Sequence, residues 1–116
     1  MVAKDTGIEP FILERRSCKL TFPEDHEYYG MVIRARLDVD VKTFLDLQRL
    51  TASEDGEETK EAFLKFGNEI VLEWNLHDEN AQPVEASGEG FISLPPLVCS
   101  AIIESWASTA GSVGEV

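Results

Sequence analysis

The spacing of apolar residues changes once along the chain, near residues 38–40, and this change constrains the fold more than any other feature. Before it, residues 18–22 and 31–37 alternate between apolar and polar, which is typical of half-buried strands. The apolar positions of these two runs are Cys18, Leu20, Phe22, Met31, Ile33, Ala35 and Leu37. After it, apolar residues recur every three or four positions. The pattern therefore predicts an antiparallel β-hairpin with a long loop, followed by helices.

Three helices are predicted in the second part of the chain. Asp40 is a suitable N-cap for a helix over 41–52, and the acids at 57–58 suit the start of a second helix. A third helix follows Pro95 and Pro96, which fit only a first helical turn, and ends at about 109. The apolar stripes are Val41, Phe44, Leu45, Leu47 and Leu50 in the first helix, Ala62, Phe63, Phe66, Ile70 and a candidate Trp74 in the second, and Leu97, Val98, Ala101, Ile102 and Trp106 in the third.

The order of these elements, two strands and then about three short helices with no later strand, predicts the α+β class. With 116 residues the chain has room for one core. We expect residues 1–16 to be a flexible arm or docking strip, 17–109 a single α+β domain, and 110–116 a frayed tail. Within the domain, Gly67 is expected to mark close packing against a neighbour, Ser87 is a candidate cap, and 87–90 are expected to form a hinge.

Charge is distributed unevenly. The net charge is −12, and all ten basic residues lie at or before Lys65, so that 66–116 carry eight acids and no Lys or Arg. This balance disfavours nucleic-acid backbones and acidic membrane surfaces as partners. The acidic half serves either solubility or the attraction of a basic partner, and the sequence leaves both open. No membrane-spanning run and no secretory signal are found, so we expect a soluble intracellular protein.

No motif for catalysis or for a cofactor is found. His26 and His77 lie in polar loops without the spacing of metal ligands, and Gly88-Glu89-Gly90 lacks the rest of a phosphate-binding loop. Cys18 and Cys99 lie far apart in apolar surroundings and are expected to be reduced core residues. The sequence therefore predicts a non-enzymatic protein with no catalytic residue, no cofactor and no metal site.

Aromatic residues are more numerous than a domain of this size easily buries. The set comprises Phe11, Phe22, Phe44, Phe63, Phe66, Phe91, Trp74 and Trp106. Each tryptophan is either a core residue on a stripe or an interface anchor, since Trp buries much area at low entropic cost. We therefore expect some excess apolar surface and self-association or a protein partner.

The order of these signals resembles the tail assembly chaperones of long-tailed bacteriophages, particularly those of phages that infect actinobacteria. The segments that carry the likeness are 19–22, 29–36, 44–47, 73–84, 89–90, 94–95 and 102–106. The most specific is 73–84 (EWNLHDENAQPV), which is similar to the family's W-N-L-x-D-x-x-G-x-P-V stretch. This chain has Ala81 where the family has a turn glycine, and it lacks the threonine usual near Ala86. The likeness covers roughly residues 17–108.

This resemblance implies a protein that binds the aggregation-prone tape measure protein, keeps it soluble and helps the tail tube assemble around it. It implies tape measure and tail tube protein as partners, the host cell cytoplasm as location, and absence from the mature virion. We expect the contact surface to include Trp74, Leu76, Phe91 and Trp106. The main alternative is a structural virion component, such as a head–tail connector or tube-related protein. An acidic nucleic-acid mimic and an enzyme are weaker alternatives.

Overall fold

The fold combines one small sheet with four helices. The structure is a computed structural model, and it describes residues 7–114. Its elements are β1 (Ser17–Leu20), β2 (Ile33–Arg36), α1 (Val41–Thr51), α2 (Gly56–Glu69), β3 (Val71–Trp74), α3 (Gly88–Ile92) and α4 (Pro96–Gly114). The strands form a single antiparallel sheet in the order β1-β2-β3. The predicted α+β class and its N-terminal hairpin are therefore confirmed.

The hairpin buries the face that the alternation predicts. Leu20 pairs with Ile33 and Cys18 with Ala35, and Leu20, Ile33 and Ala35 are all buried. Both strands are four residues long, shorter than the runs 18–22 and 31–37, but Phe22 beyond the end of β1 is still buried. Side chains that alternate along a strand point to opposite sides, so the period of two selects the core face.

The first two helices begin where capping chemistry predicts. The Asp40 carboxylate accepts a hydrogen bond from the Thr43 backbone N–H at 2.8 Å, and the Asp55 carboxylate accepts one from Glu57 N–H at 2.9 Å. These bonds satisfy backbone donors that have no partner within the helix. Glu57 and Glu58 lie in the first turn of α2, where the helix dipole favours negative charge.

A third strand is present where a helical continuation was predicted. α2 ends at Glu69, and Val71–Trp74 form β3, so the order without a strand after the helices is wrong. Trp74 ends this strand and pairs with Ile33 of β2. The four-residue spacing from Phe66 through Ile70 to Trp74 is helical in period, but β3 supplies hydrogen-bond partners to the open side of β2. Only the tertiary arrangement reveals that requirement.

The glycine-rich segment predicted to be a hinge is instead a short helix, α3. The Ser87 hydroxyl accepts a hydrogen bond from Gly90 N–H at 3.1 Å, which confirms Ser87 as a cap. α3 crosses α2 closely: a Cβ on Gly67 would lie 2.5 Å from the Ser87 carbonyl oxygen and 2.8 Å from Gly88 Cα. The close packing predicted at Gly67 is therefore confirmed, and it allows α3 to lie directly on α2.

The last helix closes the core. Pro96 is its first residue, as predicted, and Cys99, Ile102 and Trp106 face inward at helical spacing. α4 continues to Gly114, beyond the predicted end at about 109, while 115–116 lie outside the described residues. At the other end, 1–6 also lie outside the described residues, and 7–16 form no helix or strand. The flexibility expected for 1–16 and 110–116 stays a prediction.

The turn over residues 78–82 contains one unusual backbone conformation. Asp78 N–H donates to the Gln82 carbonyl at 2.8 Å, and the Asp78 carboxylate accepts hydrogen bonds from the N–H groups of Asn80 and Gln82 at 2.8 and 3.0 Å. Ala81 has a φ of 62°, in the left-handed region that favours glycine. The turn therefore holds an alanine where a glycine fits better.

Ala81→Gly is expected to stabilise the protein by about 0.5–1 kcal/mol, because glycine removes the steric cost of positive φ but adds chain entropy. Urea unfolding checks this. The control is Ala107→Gly on the exposed surface of α4, which is expected to destabilise by about 1 kcal/mol. A loss of stability at both positions would contradict the prediction.

Candidate functional site

The four residues predicted to contact a partner do not form one exposed surface. Phe91 is completely buried and Trp106 is only 4% exposed, so both are core residues. Trp74 and Leu76 are half-buried at the margin of that core. The expectation of a shared surface patch is corrected for Phe91 and Trp106, because the packing of α3 and α4 against α2 and the sheet covers both rings.

These aromatic side chains form a connected row inside the domain. Trp74 stacks on Phe91 with ring centroids 6.3 Å apart, Phe91 lies 5.1 Å from Phe66, and Phe66 meets Trp106 edge to face at 5.7 Å. Both indole N–H groups are bonded to backbone carbonyls, Trp74 to Val84 and Trp106 to Arg36, each at 2.7 Å. The structure therefore brings three of the four predicted residues into one structural row rather than a binding site.

Exposed apolar side chains occur instead in the segment before β1. We call residues 8–13 the N-terminal strip. Its large apolar side chains are Ile8 (71% exposed), Phe11 (84%), Ile12 (74%) and Leu13 (84%). The sequence predicts a docking strip here, and the exposure is what such a strip requires. Contiguous exposed apolar residues in a small protein mark interaction surfaces.

The second exposed apolar surface is on α1. Thr43, Leu47 and Leu50 of this helix face the core. On the opposite side, Val41, Phe44 and Leu45 are exposed, and we call these three residues the α1 outer face. The single stripe predicted for this helix is therefore divided between two sides. A helix that is apolar on both sides needs a second contact surface.

Basic side chains border the α1 outer face. Lys42 and Arg49 lie three residues before and four residues after Leu45, so both are its neighbours on the same flank of the helix. Arg49 forms an exposed ion pair with Glu58 of α2 at 3.3 Å. The described residues form three other ion pairs, none of which includes Lys42. The outer face is thus apolar with a positive border.

The N-terminal strip is attached next to the start of α1. The Arg16 guanidinium donates two hydrogen bonds to the Asp38 carboxylate, at 2.9 and 3.0 Å, and Leu37 N–H donates to the Arg16 carbonyl at 2.8 Å. The hydrogen bonds from Arg16 hold the pKa of Asp38 below its ordinary value. An open groove between residues 13–15 and 38–40 separates the strip from the helix.

The two histidines lie apart from each other and in different surroundings. His26 accepts a hydrogen bond from Tyr28 N–H at 3.0 Å through Nδ1, and its ring lies 4.9 Å from that of Phe22. His77 is exposed, with Nδ1 3.1 Å from the Asn75 carbonyl oxygen. Within residues 7–114 no group of three or more His, Cys, Asp or Glu side chains is arranged to hold a metal ion.

The two thiols are also separate. Cys99 is buried, its Sγ donates to the Phe91 carbonyl at 3.1 Å, and burial raises its pKa to about 11. Cys18 is half-buried, and burial raises its pKa as well. A thiol with a raised pKa is a poor nucleophile at neutral pH, because only the thiolate reacts readily. Both positions agree with the packing role predicted for them.

The α1 outer face is the surface that the sequence prediction missed. Five apolar residues in the eleven-residue span of α1 cover too wide an arc for one stripe. That excess was a usable signal, whereas the burial of Phe91 and Trp106 had no local signal.

Comparisons with protein-family models, with curated proteins and with solved structures gave no match. Within the described residues, no helix is both long and apolar enough to cross a membrane.

Proposed function

We propose that this protein is a non-enzymatic tail assembly chaperone that binds the phage tape measure protein and keeps it soluble. The observation that carries the proposal is the pair of exposed apolar surfaces, the N-terminal strip and the α1 outer face, on a chain of net charge −12. A protein that binds aggregation-prone segments needs accessible apolar side chains. It also needs enough charge to keep the complex in solution.

The backbone at residue 81 supports the resemblance on which the proposal draws. The family has a glycine at this point of its W-N-L-x-D-x-x-G-x-P-V stretch, and Ala81 has a φ of 62°. Only glycine adopts such a conformation without cost. The segment 73–84 thus folds into a turn with the backbone that the family's residue type favours, even though this chain has alanine there.

The proposed client-binding surface is the α1 outer face. Val41, Phe44 and Leu45 offer an apolar helix surface to which an amphipathic client helix can pack side by side. Trp74 and Leu76 remain at the margin of the core, while Phe91 and Trp106 are withdrawn as contact residues because they are buried. The acidic second half of the chain gives solubility and attracts basic parts of a client.

The remaining partners and the location follow from the same role. A chaperone of this kind acts in the host cell cytoplasm and is absent from the finished virion. The tail tube protein is a second expected partner, because the tube assembles around the tape measure. Several weak contacts along one client raise the overall affinity without any tighter single contact.

Co-expression with the tape measure protein of the same phage tests the proposal. Wild type is expected to keep the tape measure soluble and to co-purify with it. The double variant Val41→Ser, Leu45→Ser is expected to lower the soluble fraction at least fivefold, because each buried apolar side chain contributes about 1.5–3 kcal/mol. The soluble fraction is measured by quantitative gel analysis after centrifugation.

The matched control is Leu97→Ser, which changes a side chain that is 74% exposed on α4. This variant is expected to behave like wild type. If the tape measure stays insoluble with wild type, or if all variants act alike, the proposed client surface is wrong. Detection of this chain in purified virions would favour the structural component instead.

A further inference from the structure

We propose that the N-terminal strip of one copy binds the α1 outer face of a second copy, and that the protein self-associates by exchanging these segments. This inference concerns the protein alone and does not depend on the tape measure protein. It assigns an occupant to each exposed apolar surface. The occupant of the helix face is the strip, and the occupant of the strip is the helix face.

Apolar complementarity is the first argument. The strip carries four large apolar side chains that are 71–84% exposed, and the α1 outer face carries three that are 38–71% exposed. A reciprocal exchange brings fourteen such side chains together in a pair of copies. Each contributes on the order of 100 Å², so the total reaches roughly the 1,200 Å² at which stable interfaces begin.

Charge complementarity is the second argument. Glu9 and Glu14 flank the apolar residues of the strip, whereas Lys42 and Arg49 border the α1 outer face. Glu9, Glu14 and Lys42 take part in none of the ion pairs formed within residues 7–114. The two glutamates are about 16 Å apart along an extended chain, and the two basic residues are about 10 Å apart along the helix. The long side chains of all four span the difference.

The position of the strip favours a second copy over the strip's own helix. Arg16 holds the end of the strip to Asp38, two residues before the Asp40 cap of α1. Although it is attached so close to its own α1, the strip remains exposed and an open groove separates residues 13–15 from residues 38–40. Exchange between two copies covers both surfaces and closes with twofold symmetry, the commonest arrangement of homodimers.

Sedimentation equilibrium of the purified full chain tests the proposal. Wild type is expected to form dimers, and Phe11→Ser and Leu45→Ser are each expected to raise the dimer dissociation constant at least tenfold. Leu97→Ser on α4 is the control and is expected to leave the constant within twofold of wild type. Because Phe11 and Leu45 are exposed, these variants are expected to unfold at wild-type urea concentrations.

A charge exchange identifies the partner surface. The variant Glu9→Lys, Glu14→Lys places positive charge on the strip, and Lys42→Glu places negative charge beside the helix face. Each alone is expected to dimerise several-fold more weakly, since like charges meet. A mixture of the two is expected to form heterodimers, because the reversed strip then meets the reversed face. Arg49 is left unchanged, since it pairs with Glu58.

Three results would overturn the inference. One is a monomeric wild type at hundreds of micromolar, and another is a dimer that Phe11→Ser does not weaken. The third is a failure of the mixed variants to form heterodimers, which places the strip on its own helix or on another surface. None of these measurements involves the tape measure protein, so they are independent of the proposed function.

Discussion

Replacing Gly90 by alanine is expected to lower the free energy of unfolding by at least about 3 kcal/mol. A Cβ at this position would overlap the backbone carbonyl oxygen of Glu85, which no side-chain rotation can move. Gly90 also takes part in three hydrogen bonds of α3, two of them from Ser93 to its carbonyl and one from its N–H to Ser87. The added methyl group therefore has to displace α3, and with it the buried ring of Phe91.

Urea unfolding followed by circular dichroism measures this effect. The matched control is Gly56→Ala at the first position of α2, where a Cβ would meet nothing within 4 Å. That control is expected to change the free energy of unfolding by less than about 0.5 kcal/mol. If Gly90→Ala were as stable as the control, the close approach of residues 85 and 90 in the structure would be wrong.

The contrast between Gly67 and Gly90 shows what can be predicted from a glycine in the sequence. Gly67 interrupts a clear helical stripe, and a glycine inside a helix indicates a close neighbour. Gly88 and Gly90 lie in a segment without periodicity, where glycine is equally typical of a hinge. The carbonyl that makes Gly90 necessary belongs to Glu85, and its direction depends on how the 78–82 turn brings the chain back to α2.

Local signals were sufficient for the hairpin and for the first two helix starts. The alternation around Leu20 and Ile33 and the caps at Asp40 and Asp55 each depend on residues close in sequence. β3 is different, because its partner strand lies about 40 residues earlier and two helices separate them. The spacing of Phe66, Ile70 and Trp74 fits a helix locally, and only pairing with β2 makes residues 71–74 a strand.

The candidate site was predicted in part for a related reason. The N-terminal strip was recognised because it is apolar and isolated from any element. The α1 outer face was missed because Val41, Phe44 and Leu45 were assigned to the core together with Leu47 and Leu50. Composition indicates that apolar surface is in excess, but it does not show which residues are left exposed. That assignment depends on which side of α1 the neighbouring α2 covers.

Trp106→Ala is expected to destabilise the protein by about 4 kcal/mol rather than to remove a partner contact selectively. The side chain is 4% exposed, packs edge to face on Phe66, and donates to the Arg36 carbonyl at 2.7 Å. The substitution leaves a cavity between α4 and the sheet and removes the partner of a buried acceptor. Such a loss is a large share of the stability of a small domain.

Two further variants separate packing from hydrogen bonding and structure from binding. Trp106→Phe keeps most of the ring volume and is expected to cost about 1–2 kcal/mol, and Trp74→Phe at the half-buried end of the row is expected to cost less. Urea unfolding gives the stabilities, and tape measure binding is measured at a temperature where each variant is folded. Because the ring is enclosed, folded Trp106→Phe should bind the client as wild type does. A variant of wild-type stability that no longer binds would instead make Trp106 an interface residue, as its residue type alone first indicated.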